Sequence, residues 1–461
     1  MKPNIIVFLT DQQRYDSLGA YGNPLDITPN FDGWSKRGTL CENAFTPQPI
    51  CGPARACIQT GLYATQNGCY RNGIPFQNRS NHSIAQIFRQ HGYRTGYIGK
   101  WHLATTGIVD ESERAGYENW LGSNELEYSS DGYDLVMFDE KNRPIKVPGH
   151  RIDGVVDRAI QYINQNQNEP FVLFVSLLEP HCQNCSNSYA APLFAEERLR
   201  GRWMPPDLLA LGGTAAQHIA GYLALIQRID AAFGRMMDAL VSLDLLRKTT
   251  VLYTSDHGEH FMTRNSTNKM SPHEVSIHVP MLWCGYGFDI GRRLQQSISL
   301  IDILPTLLDC AHIPFNKKLA GKSILPLLYD RNVEWRDGVL IQISETEVGR
   351  AIRTKDWKYV VHAPGLDPLN NSCAECYEES ELYDLRNDPY ELMNLIHHEG
   401  YENLKEKLRS QLINLILESG EHAPQIRKAE IQSFPNGILP QMFYPEESRL
   451  SDIANPRRYM K

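Results

Sequence analysis

The sequence predicts an α/β sandwich with a mostly parallel central sheet, followed by a smaller C-terminal α+β region with an antiparallel sheet. Three observations predict it. First, four segments are short apolar runs that end in polar or charged groups: NIIVFLTDQQ from residue 4, RTGYIGKWHL from 94, PFVLFVSLLEPH from 170 and TVLYTSDHGEH from 250. Second, helical patterns lie between them, and continuous apolar runs so separated are strands buried on both faces of a parallel sheet. Third, the texture changes after Leu325: GVLIQISETEVGRAIRTKDWKYVVHAPG alternates extended runs with turns, and YENLKEKLRSQLINLILESG is an amphipathic helix.

Local signals place the helices. In NHSIAQIFRQHG, Ile84, Ile87 and Phe88 share one face, Asn81 or Ser83 can cap the start, and Gly92 can end it. A longer helix from about Ala215 to Leu243 keeps Ile219, Tyr222, Leu223, Ile226, Ile229, Phe233 and Leu240 in helical register. In CGPARACIQT, Pro53 suits a first helical position and Gly61 follows the end, so a short helix is expected over Pro53–Thr60. The expected boundary falls near residue 335, giving a larger α/β domain over 1–335 and a C-terminal α+β subdomain over 336–461. The tail after Ala423, rich in Pro and charged residues, is expected to wrap the surface.

The 461 residues are 42 % hydrophobic and 22 % charged, enough for a large core in two or three globular domains. A formal charge of -8, with no block of Lys and Arg, argues against a nucleic-acid partner. The apolar run Ile5–Leu9 is far short of the ~20 residues that span a bilayer and short for a signal-peptide core, so no membrane association is expected. Two locations stay open: periplasm or secretion if an upstream signal has been removed, and cytoplasm otherwise. Ten cysteines include the close pairs Cys182/Cys185 and Cys373/Cys376, which could supply four thiolates to a structural zinc or stay as free thiols or disulfides.

In doubly wound sheets the ligand site lies beyond the carboxyl ends of the strands. The polar ends of the four runs should therefore converge, bringing together Asp11 and Gln12, Lys100 and His102, His181, and Asp256 and His257. Three oxygen-bearing side chains and one imidazole suit a hard cation, calcium or magnesium, with manganese or zinc left open by the imidazole. Cys51 would sit at the amino end of its helix, where unpaired backbone N–H groups favour an anion, with Arg55 one turn in. A positive helix end, an arginine, two lysines and a divalent cation describe a pocket for a tetrahedral oxyanion ester.

These residues resemble a known family. CGPAR at 51–55 is similar to the CxPxR signature of type I sulfatases of the alkaline phosphatase superfamily, whose cysteine is oxidised after synthesis to formylglycine. TGLY at 60–63, GKWHL at 99–103, TSDHG at 254–258, SLIDILPTLLDCAHI at 299–313 and ELYDLRNDPYELMNL at 381–395 extend the similarity in the family's order over most of the chain. The resemblance implies the alkaline-phosphatase-like fold and a sulfate ester as substrate, with a carbohydrate sulfate favoured and polysaccharide breakdown as setting. It also implies a formylglycine-generating enzyme as partner in maturation. Sulfated small molecules or glycans are the implied ligands.

Carried over to matching positions, Asp11, Gln12, Asp256, His257 and the modified Cys51 are implied as the cation shell, calcium in this family with magnesium or manganese possible. Asp256 is implied as base for the attacking hydroxyl, and Arg55 as the group that holds the hydrated aldehyde. Lys100 would neutralise sulfate charge and His102 would take the second hydroxyl's proton. His181 and Lys269 would contact sulfate and protonate the leaving oxygen. The chain departs from the family where two aspartates often follow the first strand, since it has Asp11 and Gln12. The Tyr-Glu and Arg-Val-Pro patterns after Lys269 become His273-Glu274 and His278-Val279-Pro280. His273 is a further candidate for substrate contact. CYRNG at 69–73, residues 182–189 and CAECYEE at 373–379 are candidate walls of the substrate cleft.

Two other readings compete. A phosphonate monoester or phosphodiester hydrolase of the same superfamily can carry CGPAR, but that branch tends to replace the Lys100 and His102 groups with threonines. A non-catalytic protein that binds sulfated glycans would follow if Cys51 stayed unmodified.

Overall fold

The computed structural model describes residues 2–428 apart from 77–82, 106, 184, 185, 187, 316–318 and 331. The main sheet explains why the apolar runs are uninterrupted. In β1 (Asn4–Asp11), Ile6 and Phe8 enter one core while Ile5, Val7 and Leu9 enter another on the opposite face. Both faces of the strand are buried, so no residue of the run needs to be polar.

The other strands of this eleven-stranded sheet are β2 (Thr39–Phe45), β3 (Arg94–Lys100), β4 (Asn119–Ser123), β5 (Leu135–Asp139), β6 (Pro144–Val147), β7 (Phe171–Pro180), β8 (Thr249–Ser255), β9 (His278–Val279), β10 (Met281–Gly285) and β11 (Arg292–Ser299). Their order is β11-β2-β10-β8-β1-β7-β3-β4-β5-β6, with β9 against β2. β1 pairs parallel with β7 and β8, and β3 pairs parallel with β7. The block β8-β1-β7-β3 is thus contiguous and parallel, and its four carboxyl ends share one edge. These are the four runs singled out in the sequence.

Helices Arg151–Gln165 and Ala215–Ser242 cover one face; Cys51–Thr60, Ile84–Gln90 and Ile303–Cys310 cover the other. The Ile84–Gln90 helix is started by Ser83, whose hydroxyl accepts from Gln86 N–H at 3.1 Å while the Gln86 side chain accepts from Ser83 N–H. Asn81, the alternative cap, lies outside the described residues. The Cys51–Thr60 helix begins two residues before the expected Pro53, because Ile50 already supplies the extended cap and its carbonyl accepts from Ala54 N–H at 2.9 Å. Pro53 costs nothing inside the first turn, where N–H groups have no intrahelical partner. Gly61 ends the helix in the left-handed region at φ 65°.

The second sheet runs β12 (Gly338–Ile343), β13 (Gly349–Thr354), β14 (Trp357–His362), β15 (Cys376–Asp384) and β16 (Gln425–Arg427). The first four are antiparallel, but β16 lies parallel to β15. The helix Glu402–Glu418 carries the chain back across the sheet, and such a crossover is what parallel pairing requires. Val339, Ile341 and Ile343 of β12 pack on Phe45 and Ile277, while Leu340 joins Leu408, Leu412 and Ile416 of that helix. Of the tail expected to wrap the surface after Ala423, Gln425–Arg427 instead joins the second sheet as β16, and residues from 429 on lie outside the described residues. Among the described residues no helix is long and apolar enough to cross a membrane.

Candidate active site and metal centre

Cys51 opens its helix directly beyond the carboxyl ends of the central strands, and is 1 % exposed. Its sulfur lies 2.8 Å from Lys269 Nζ, 3.1 Å from His257 Nε2 and 3.6 Å from Asp11 Oδ1. Burial alone would raise the thiol, but the charges of Lys269, Lys100 and His257 outweigh it and hold the group well below the ordinary thiol range. Gly52, the next residue, gives its N–H to Asn72 Oδ1 at 3.0 Å, so CYRNG does reach the helix start.

Arg55 arranges the carboxylates. Its Nε binds Asp256 Oδ2 and its Nη2 binds Asp11 Oδ2, each at 3.0 Å, while Nη1 reaches the Lys100 carbonyl at 2.9 Å and Ser176 Oγ at 2.7 Å. One guanidinium thereby links the ends of β1 and β3, the middle of β7 and the residue after β8, a use of its planar fork that an ammonium cannot copy. It occupies both Oδ2 atoms and turns both Oδ1 atoms toward His257 Nε2, each at 3.6 Å. The resemblance implies Arg55 as the group that holds the hydrated aldehyde; here its three nitrogens are committed to these partners.

Asp11, Cys51, Asp256 and His257 offer ligand atoms within 4.8 Å of one another, all buried. His257 Nδ1 lies 2.9 Å from the Gly258 carbonyl and can only donate to it, so Nε2 is the ring nitrogen that faces the seat. Burial and the Cys51 charge push Asp11 up, yet Lys100, His181 and Arg55 keep it far below the usual carboxylate range. Asp256 is raised, by burial and by Asp11 beside it. Two carboxylates that resist sharing a site unless a positive charge joins them, plus a free imidazole nitrogen, fit a divalent cation.

Gln12 stands beside this seat at φ 66° and fully buried, its N–H on Asp256 Oδ1 at 3.2 Å and its Oε1 3.0 Å from Lys269 Nζ. Lys269 Nζ also meets His181 Nε2 at 3.0 Å, and His181 Nδ1 donates to the Cys182 carbonyl at 2.6 Å. Lys100 Nζ is held between Asp11 Oδ2 and Glu127 Oε1, both at 2.8 Å. His102, at φ 59°, places Nδ1 4.0 Å from Glu127 and Nε2 3.7 Å from Glu125. Asp11, Gln12, Cys51, Arg55, Lys100, His102, His181, Asp256, His257 and Lys269 are thus gathered at one edge of the sheet.

His273 is placed differently. It caps the short helix Glu274–Ile277, is buried, and contacts Tyr383 at 3.5 Å and Glu381 at 3.6 Å on β15 rather than the Cys51 cluster. The four-thiolate zinc does not form among the described residues: Cys182 lies beside Asn268 in the cleft, whereas Cys373 is exposed and Cys376 opens β15. Cys185 lies outside the described residues. Of the segment 373–379, residues 376–379 lie in β15 of the second sheet.

Three participants escaped the sequence reading. Glu127 pairs with Lys100, Glu345 accepts from Asn72 N–H at 2.6 Å, and Glu259 accepts from the Gln12 amide. Only Glu259 left a signal, standing three residues after Asp256 in the same motif.

The geometry defines a sulfuric ester hydrolase of alkaline-phosphatase-like fold. The family model described as Sulfatase matches residues 3–313, and the chain belongs to that family. A second model, described as N-sulphoglucosamine sulphohydrolase, C-terminal, matches residues 264–418. Among similar proteins, an ulvan-active sulfatase of Formosa agariphila is 28 % identical over 91 % of this chain and 82 % of its own. An arylsulfatase of Clostridium perfringens is 29 % identical over 90 % of this chain and 94 % of its own. A protein solved with its substrate D-glucosamine-2-N,6-O-disulfate shares the fold with a TM-score of 0.75 at 22 % identity, covering 91 % of this chain and 98 % of that one.

Proposed function

We propose that this sulfatase cleaves a sulfate ester carried by a carbohydrate, using Cys51 converted to formylglycine and a divalent cation, calcium by resemblance, seated on Asp11, Gln12, Asp256 and His257. The observation that carries the reading is the Cys51 sulfur itself, held between His257 Nε2 at 3.1 Å and Lys269 Nζ at 2.8 Å. A hydrated aldehyde at that position has two hydroxyls on one carbon. An oxygen of one bonds to sulfur as the ester S–O bond breaks, and loss of the other's proton re-forms the carbonyl and expels sulfate. The cation, when bound, polarises a sulfate oxygen and lowers the pKa of the attacking hydroxyl.

The chain's own groups supply the rest. Asp256 receives the proton of the attacking hydroxyl, and His102 that of the second. His181, with Nδ1 already committed to a carbonyl, works through Nε2 and delivers a proton to the leaving oxygen, beside the Lys269 ammonium. Lys100 and Lys269 balance the sulfate's charge. The carbohydrate class is supported by the ulvan-active relative and by the neighbour solved with a sulfated glucosamine. Lys100 and His102 at the site favour a sulfate over a phosphonate ester.

The test is a mass measurement joined to turnover. The peptide containing Cys51 should be lighter by about 18 Da than its unmodified form. The same preparation should release sulfate from position-defined sulfated sugars and turn over an aryl sulfate faster than an aryl phosphonate. Fully converted, cation-loaded protein that releases no sulfate from any of them would sink the reading.

A further inference from the structure

Gln12 stands where the resembled family often carries a second aspartate, and its surroundings suit an amide there. We propose that Glu259 is a positioning residue: it locks the Gln12 amide with Oε1 toward the cation seat and carries, one step further out, the negative charge that an aspartate at position 12 would bring. The inference rests on the reading that residue 12 faces the cation.

The hydrogen-bond network assigns the amide. Lys269 Nζ has only donors, so the atom 3.0 Å from it is the Gln12 oxygen. On the other side the Gln12 nitrogen donates to Glu259 Oε2, which has only acceptors. Glu259 is itself fixed: Oε1 accepts from Phe261 N–H at 2.6 Å and Oε2 from Tyr189 OH at 2.8 Å. The Gln12 backbone is equally held, its N–H on Asp256 and its carbonyl accepting from Tyr222 OH at 3.0 Å. Both Gln12 and Glu259 are fully buried.

Turning the amide over would set Nε2 against an ammonium and Oε1 against a carboxylate, two repulsive contacts in a dry site. A neutral amide is therefore the side chain that fits between Glu259 and Lys269. An acidic residue at position 12 would instead face the Glu259 carboxylate across a hydrogen-bonding distance. Gln12 and Glu259 act as a matched pair, one supplying the oxygen and the other the charge.

The test exchanges the charge within the pair: Glu259→Gln, Gln12→Glu, and the double variant, all in the full chain. Calcium affinity is measured by calorimetry and melting temperature in EDTA, on preparations whose Cys51 peptides have the same mass, so that conversion of Cys51 does not separate them. Glu259→Gln should weaken calcium binding by about 10–100-fold, the usual effect of removing an outer partner of a ligand. Gln12→Glu should melt below the parent in EDTA, and the double variant should recover both properties. Calcium binding of Glu259→Gln within twofold of the parent, or a double variant no better than the worse single, overturns the proposal. A parent protein that takes up no calcium overturns instead the cation seat on which the affinity arm depends; a Gln12→Glu melting temperature equal to the parent's then still overturns the pairing.

Discussion

Lys269 Nζ lies 2.8 Å from Cys51 Sγ and 3.0 Å from both Gln12 Oε1 and His181 Nε2. Lys100, by contrast, is clamped between two carboxylates. Among the described residues no carboxylate stands within ion-pair distance of Lys269, so its charge is less offset than that of Lys100 where a sulfate would sit. Lys269→Met should lower kcat by about 10²–10³-fold, the scale of losing one charge-stabilising donor. Single-turnover kinetics on an aryl sulfate would show it, and a variant within threefold of the parent would refute the role.

Arg55 predicts a coupled loss of stability and cation binding. Arg55→Met leaves Asp11 and Asp256 buried without their shared partner, at a cost of about 3–5 kcal/mol. Arg55→Lys should recover only part of this, because one ammonium cannot span both Oδ2 atoms. Urea unfolding in EDTA reads the stability, and calcium titration reads the seat. Lysine performing as well as arginine would contradict the geometry.

Glu127 predicts the acid behaviour. Burial pushes its carboxyl up, but the Lys100, His102 and His181 charges bring it down to about 2. Its folded value is below the unfolded one, so its stabilising effect is full above the unfolded pKa of about 4.5 and is lost as pH falls toward about 2. The drop corresponds to roughly 3 kcal/mol. The stability difference between parent and Glu127→Gln should therefore be large at neutral pH and shrink through that window. A difference that does not change with pH would show that the Lys100 pairing is not its source.

Gly99 predicts a steric failure next to the site. It sits at φ +113°, and a Cβ built there would lie 1.9 Å from the Ser176 carbonyl oxygen. β3 and β7 can approach only because that atom is missing. Gly99→Ala should cost about 2–4 kcal/mol and shift Lys100, its neighbour. Melting temperature and kcat should fall together; an alanine variant of parent stability would mean that the two strands have room to part.

What the sequence revealed follows from which contacts are local. β1, β3, β7 and β8 were legible because both faces of each are buried, and the residues ending them could be inferred to meet because parallel strands share an edge. β4 left no such mark: NWLGS mixes polar and apolar residues, so the short helix Leu126–Ser129 after it, with Glu127, could not be assigned to that edge. Glu259 was visible as a residue but not as a partner, since it and Gln12 stand 247 positions apart in sequence. His273 was drawn into the site by its nearness to Lys269 in sequence. The short helix it caps turns it toward β15 instead.

All ten residues from Cys51 to Thr60 are buried, and Arg55 is sealed behind four strands. Any enzyme that reads Cys51, Pro53 and Arg55 as a linear tag could not grip them once the fold has closed. If the aldehyde proposed at Cys51 is installed by such an enzyme, that step becomes a race against folding, run while the nascent polypeptide is still open, and chains that close first keep the thiol.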